Sequence, residues 1–239
     1  MAGEGRTAPG WDSTIERRGL RDRVYERILQ LLLSGEVAPG ARLSIDTLAR
    51  QLDVSPTPVR EAMVHLERTG LVTREALKGY RVAPPLGATQ LRELFDARIM
   101  LEIEAARLAT PADPDMLDEL REAEDEHRRS GERVIEAIHA GSNDVELTTA
   151  YFAADAAFHE VVFRHCGNRY LRQMSESLGA QLHRMRQSMV HGVTDVREAI
   201  AEHEAIRQAF LAGDPEQPAR MMRLHIEGVR ARSLDLEKD

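Results

Sequence analysis

At 239 residues, 42% of them hydrophobic, the chain can bury a core of its own, and its length suits two ordinary domains. No apolar run approaches the roughly 18 residues of a membrane helix, and the opening Met-Ala-Gly-Glu-Gly-Arg-Thr-Ala-Pro-Gly lacks a signal-peptide core, so the reading is a soluble, cytoplasmic protein without a membrane partner. The formal charge of −8 argues against nucleic acid until its distribution is read: residues 1–86 carry 13 Lys+Arg against 11 Asp+Glu, whereas residues 87–239 carry 19 against 29. Only the first third can approach DNA without strong repulsion. With 4% aromatics the chain lacks the stacking platforms of single-strand binders, which leaves duplex DNA. Cys166 stands alone, which rules out an intrachain disulfide and a cysteine-based zinc site; it reads as a small buried hydrophobe.

Residues 1–13, small and polar without periodicity, read as a disordered arm. Leu20, Val24, Ile28 and Leu31 then recur at helical spacing, and Ser34-Gly35 ends the run. Ile45, Leu48, Ala49 and Leu52 mark one face of a short helix capped by Ser44. The next helix has Ser55 as its cap, Pro56 in the first turn, and a stripe of Val59, Ala62, Met63 and Leu66 that closes at Gly70. Leu71-Val72-Thr73-Arg74, a turn around Lys78-Gly79, and Tyr80-Arg81-Val82 make a hairpin, and Pro84-Pro85 ends the unit in a stiff linker. Beyond it, helices are expected near 87–109, 114–140 with a break at Gly131, 144–165, 168–190, 195–212 and 215–234, the one after Gly167 capped by Asn168. The fold class is mainly α: an N-terminal winged helix-turn-helix over 14–83 with a small β-hairpin wing, a linker at 84–87, and an all-helical bundle over 88–235.

Two short helices joined by Asp53-Val54-Ser55 and followed by a hairpin can place the second helix in the major groove. On that helix Thr57, Arg60, Glu61 and Val64 project away from the apolar stripe; Arg60 can pair bidentately with guanine, and Ser55 and Thr57 suit phosphates at a helix N-terminus. Periodicity alone equally allows Arg60 to be a solvated surface charge. The run from Leu48 through Val54-Ser55-Pro56-Thr57-Pro58-Val59-Arg60-Glu61-Ala62-Met63, with Leu66-Glu67-Arg68-Thr69-Gly70-Leu71-Val72 after it, closely resembles the winged helix-turn-helix of GntR-family regulators. The resemblance implies that Thr57, Arg60 and the wing residues Lys78 and Gly79 lie at operator DNA. Pro56 stands where many members carry arginine.

The rest of the chain resembles the all-helical FCD domain of the FadR subfamily, on Arg98-Ile-Met-Leu-Glu102, Asp155-Ala-Ala-Phe-His159, Glu202-His203 and His225. Many such domains hold a divalent metal with one Asp and three His, which the resemblance carries to Asp155, His159, His203 and His225. Asp155 and His159, at i and i+4, project from one helix face toward a common point. Imidazole with carboxylate suits zinc first, with nickel, manganese and iron as alternatives. Arg98 is placed near the ligand cavity by the family pattern, and by its spacing it is equally a structural partner of Glu102.

The function expected from these readings is a sequence-specific DNA-binding repressor, a homodimer on a short palindrome. Its effector is expected to be a small carboxylate that completes the metal shell while Arg98 neutralises it, because an acidic domain must supply local cations to an anion. Two rivals are carried along: a metal-dependent enzyme on the bundle, or a bundle acting only in dimerisation. His159-Glu160-Val161-Val162-Phe163 lacks the second histidine of a zinc protease. Glu124–His127 and Glu136–His139 match the Glu-x-x-His pattern of di-iron bundles but read as solvated faces.

Overall fold

Helix α1, Asp12–Leu33, buries Val24, Ile28 and Leu32 in a computed structural model that describes residues 12–33, 36–75, 79–142, 144–187, 192–214 and 216–235. Leu20, assigned to that stripe by its spacing, is 37% exposed and Leu31 is partly buried; the face closes on Leu32 instead. Asp12 and Ser13, the last two residues of the expected arm, belong to this helix, and residues 1–11 lie outside the described residues. Packing divides the chain into two units that part between Ala83 and Pro84.

In the first unit, β1 (Arg42–Leu43) leads into α2 (Ile45–Gln51), where Ser44 accepts a hydrogen bond from the Thr47 amide at 3.3 Å. Asp53 adopts a left-handed φ of 53° in the turn to α3 (Pro56–Arg68). Ser55 has the extended backbone of an N-cap and Pro56 opens the helix, but the Ser55 hydroxyl makes no capping hydrogen bond, so the backbone alone carries that role. Val59, Ala62, Met63 and Leu66 are buried as their spacing predicts. Gly70, at φ 75°, ends the helix with the Leu71 amide bonded to the Leu66 carbonyl at 3.1 Å. The hairpin of β2 (Val72–Glu75) and β3 (Gly79–Val82) pairs Thr73 with Arg81 and Arg74 with Tyr80. Strand β1 adds a third, antiparallel edge, with Leu43 opposite Tyr80, in the order β1-β3-β2.

The described part of the second unit consists of α4 (Ala88–Leu108), α5 (Pro114–His139), α6 (Val145–His165), α7 (Arg169–Gln187), α8 (Val193–Ala212) and α9 (Gln217–Asp235). Helix α5 packs on α6 and α8, and α9 lies against both α4 and α8. Phe95, Leu120, Phe158, Ile206, Phe210, Met222 and Ile226 fill the core, and Cys166 is buried among them. The Pro84–Gly87 stretch is more than a spacer: Leu86 joins this core, and Arg184 Nε of α7 donates to the Pro84 carbonyl at 2.6 Å. Asn168 caps α7 by accepting from the Tyr170 and Leu171 amides at 3.0 and 3.3 Å.

Helix α5 runs without interruption through Gly131, where a break was expected. A Cβ at that position would stand 2.8 Å from Ile200 Cδ1 and 3.0 Å from Val196 Cγ1. The glycine marks a close approach of α5 to α8 rather than a helix end. No helix among the described residues is long and apolar enough to cross a membrane.

Candidate metal centre and DNA-reading face

On α3, Thr57, Arg60, Glu61 and Val64 are exposed together with Ser55 just before it, a polar face opposite the buried stripe. Arg81 on the wing is held at home by Glu75, 2.7 Å from its Nε, and by the Gly40 carbonyl at 2.8 Å. Gly79, the first residue of β3 and paired with Glu75, takes a φ of 87°, which a side chain tolerates poorly. Lys78 lies outside the described residues.

The second unit brings four distant residues to one point. Asp155 and His159 come from α6, His203 from α8 and His225 from α9, and one ligand-type atom from each lies within 4.8 Å of the others. His203 Nε2 is 3.5 Å and His159 Nε2 3.9 Å from Asp155 Oδ1. All three histidines are buried, and the Nε2 atoms of His159, His203 and His225 lack hydrogen-bond partners. Buried polar atoms are seldom left unpaired, so three converging on one carboxylate need an explanation. The His203 ring stacks on Phe158, with centroids 4.2 Å and planes 10° apart, and its centroid lies 4.3 Å from that of the His127 ring, tilted by 38°.

Two glutamates stand behind the histidines. His159 Nδ1 is 2.6 Å from Glu102 Oε2, at ion-pair distance though not aligned as a hydrogen bond, and Arg98 Nε donates to Glu102 Oε1 at 2.7 Å. Burial opposes ionisation of Glu102, but Arg98 and His159 prevail and hold its carboxyl well below the usual range. His225 Nδ1 bonds Glu202 Oε2 at 2.8 Å. Burial again disfavours the Glu202 charge, and the hydrogen bonds from His225 and Arg232 overcome it, lowering its pKa. Burial pushes His203 well below its ordinary 6.5, with His127 and His225 adding to the effect and Asp155 opposing it. His225 is lowered by burial against the pull of Glu202. Burial thus keeps His203 and His225 in the neutral form whose lone pairs a metal needs, and three imidazoles with one carboxyl fit the donor set of a divalent transition ion.

Sequence reasoning set aside Glu124 and His127 as a solvated face, and the structure corrects this: both are buried, Glu124 paired with Arg207 of α8 and His127 stacked on Tyr151 and tilted against His203. The signal was present, since the buried positions Met116 and Leu120 continue at helical spacing through 124, 127, 131 and 134. Glu136 and His139 are not buried, as expected. Arg98 is buried and forms the ion pair with Glu102 that its spacing allowed.

Residues 93–228 match the FCD domain family, and residues 20–82 match the family described as bacterial regulatory proteins, gntR family. The chain is a GntR-family transcription regulator. The HTH-type transcriptional regulator BphR of Paraburkholderia xenovorans is 30% identical over 88% of this chain and 83% of its own. The HTH-type transcriptional repressor GlaR of Escherichia coli is 27% identical over 84% of this chain and 90% of its own. A GntR regulator from Rhodococcus sp. RHA1 superposes with a TM-score of 0.74 at 25% identity, covering 91% of this chain and 98% of that one. These relatives are regulators, which removes the metal-dependent enzyme from contention. The four-residue cluster thus sits in the FCD domain of a GntR regulator, remote in sequence from α3.

Proposed function

We propose that this GntR regulator is a cytoplasmic homodimeric repressor whose operator affinity is set by a small carboxylate bound at a metal in the FCD domain. Asp155, His159, His203 and His225 hold the ion, zinc first among zinc, nickel, manganese and iron. Ser55, Thr57, Arg60, Lys78 and Gly79 meet the operator, which is palindromic to match the two-fold axis of the dimer. Arg98 stands beside the centre as the second cation; one of its N–H groups is committed to Glu102, and a guanidinium carries others for a carboxylate.

The observation that carries this reading is the convergence of three buried, unpartnered imidazole nitrogens on one carboxyl group. The relative named as a repressor supports the sign of regulation. A bound metal would supply a Lewis acid with coordination positions open to an effector oxygen. The test is operator binding by fluorescence anisotropy with metal-loaded and chelator-stripped protein across a panel of hydroxy and dicarboxylic acids. One acid should shift operator affinity about tenfold with metal present and not without it, a coupling of about 1.4 kcal/mol. A panel without effect under both conditions would overturn the carboxylate reading.

A further inference from the structure

Two helices contribute to the surroundings of His225, and the detail there goes beyond what a ligand set requires. Glu202 precedes His203 on α8, yet the two side chains diverge: His203 is fully buried in the cluster while Glu202 turns toward α9 and keeps 24% of its side chain exposed. Its Oε2 faces His225 Nδ1 at 2.8 Å. Both of its oxygens accept from the guanidinium of Arg232, Oε1 from Nη1 at 2.8 Å and Oε2 from Nη2 at 3.0 Å. Arg232 is anchored in turn at the start of α8, to Asp195 at 2.5 Å and Glu198 at 3.0 Å. A planar fork of this kind fixes a carboxylate in orientation as well as position.

Helix α9 makes room for that carboxylate. His225, Gly228 and Arg232 follow one another at i, i+3 and i+7, one stripe of the helix. A Cβ at Gly228 would stand 2.8 Å from Glu202 Oε1 and 3.0 Å from Arg232 Nη1, so any side chain there displaces the pair. An ionised carboxylate can only accept, which puts the His225 proton on Nδ1 and leaves the lone pair on Nε2, the ring nitrogen that is buried without a hydrogen-bond partner in a residue whose ligand atom lies within 4.8 Å of those of Asp155, His159 and His203.

Resting on the metal reading above, we propose that Glu202 is the positioning residue of the centre: clamped by Arg232 in the space left by Gly228, it fixes the tautomer and ring orientation of His225 so that Nε2 is presented to the ion. Outer partners of metal-bound histidines commonly account for about 10–100-fold in metal affinity. Glu202 therefore acts through His225 and touches neither ion nor effector.

The experiment titrates chelator-stripped, full-length protein with zinc in competition with a chromophoric chelator, for wild type, Glu202→Ala, Glu202→Gln and Gly228→Ala. Glu202→Ala should lose about 10–100-fold in zinc affinity, Glu202→Gln less because an amide oxygen still accepts, and Gly228→Ala should lose affinity with Glu202 itself intact. In parallel, long-range nitrogen–proton NMR of the metal-free protein reads the ring tautomer: His225 should carry its proton on Nδ1 in wild type and lose that preference in Glu202→Ala, a change that general loosening of the fold would not produce selectively at this ring. A wild type that takes up no metal overturns the metal reading and this inference with it. A wild type that binds zinc while Glu202→Ala binds equally well, or one whose His225 is protonated on Nε2, overturns this inference alone.

Discussion

Arg98 Nε lies 2.7 Å from Glu102 Oε1, and the two side chains are only 3% and 6% exposed. A pair taken this far out of water is held by mutual attraction, and removing one partner leaves an uncompensated charge whose cost is about 3–5 kcal/mol. Arg98→Met is therefore expected to destabilise the FCD domain by that order before any effector is added, as read by urea denaturation of the metal-free protein. Adding Glu102→Gln to it should recover part of the loss, because the orphaned carboxylate is then neutral. A single variant as stable as wild type would show that the pair contributes nothing. The same experiment sets the baseline for effector binding, since an Arg98→Met protein must be shown to be folded before its failure to bind a carboxylate can be ascribed to a lost contact.

The metal-free protein should be acid-sensitive in a defined window. His203 is held neutral by burial, well below its ordinary 6.5, and His225 is lowered in the same direction. In the unfolded chain both take up protons as the pH falls through 6.5, while in the fold they do not, so stability is full above that value and declines as the pH drops below it. Thermal melts in chelator between pH 7.5 and about 5 should show this fall, and His203→Gln should flatten it. A melting temperature independent of pH across this range would contradict the neutral assignment of His203 and His225.

At the other end of the chain, Arg60→Ala should cost about 1–3 kcal/mol per half-site and relax the preference at one base position. Lys78→Ala should weaken all sequences alike and reduce the salt slope, the mark of a phosphate contact. Anisotropy titrations with operator variants over a salt series separate the two. Unchanged operator affinity in Arg60→Ala would remove that residue from the interface, a result compatible with its exposure on α3.

The DNA-reading unit was largely legible because its information is local: the buried stripe of α3, Pro56 in the first turn and Gly70 at its end each act within one or two turns of helix. Strand β1 was missed, since the two residues Arg42 and Leu43 are too few for any periodicity and become a strand only through pairing with β3. Gly131 was misread as a break because a glycine required by close helix packing and one that ends a helix look alike without the partner helix. The same limit applied to the centre. Asp155 and His159 announce themselves at i and i+4, and resemblance pointed to His203 and His225. The support of His225 by Glu202 and of His159 by Glu102 depends on which helices lie side by side, a tertiary fact with no spacing of its own.

Whether the FCD domain holds a metal is decided most directly by elemental analysis of the purified, chelator-stripped and reloaded protein, with stoichiometry checked by zinc calorimetry. The account predicts about one divalent ion per chain, a higher melting temperature when it is bound, and reduced occupancy in His203→Ala and His225→Ala, because ligands on α6, α8 and α9 tie three helices together. Wild-type protein that can be loaded with none of zinc, nickel, manganese or iron, or the two alanine variants binding as wild type does, would contradict it.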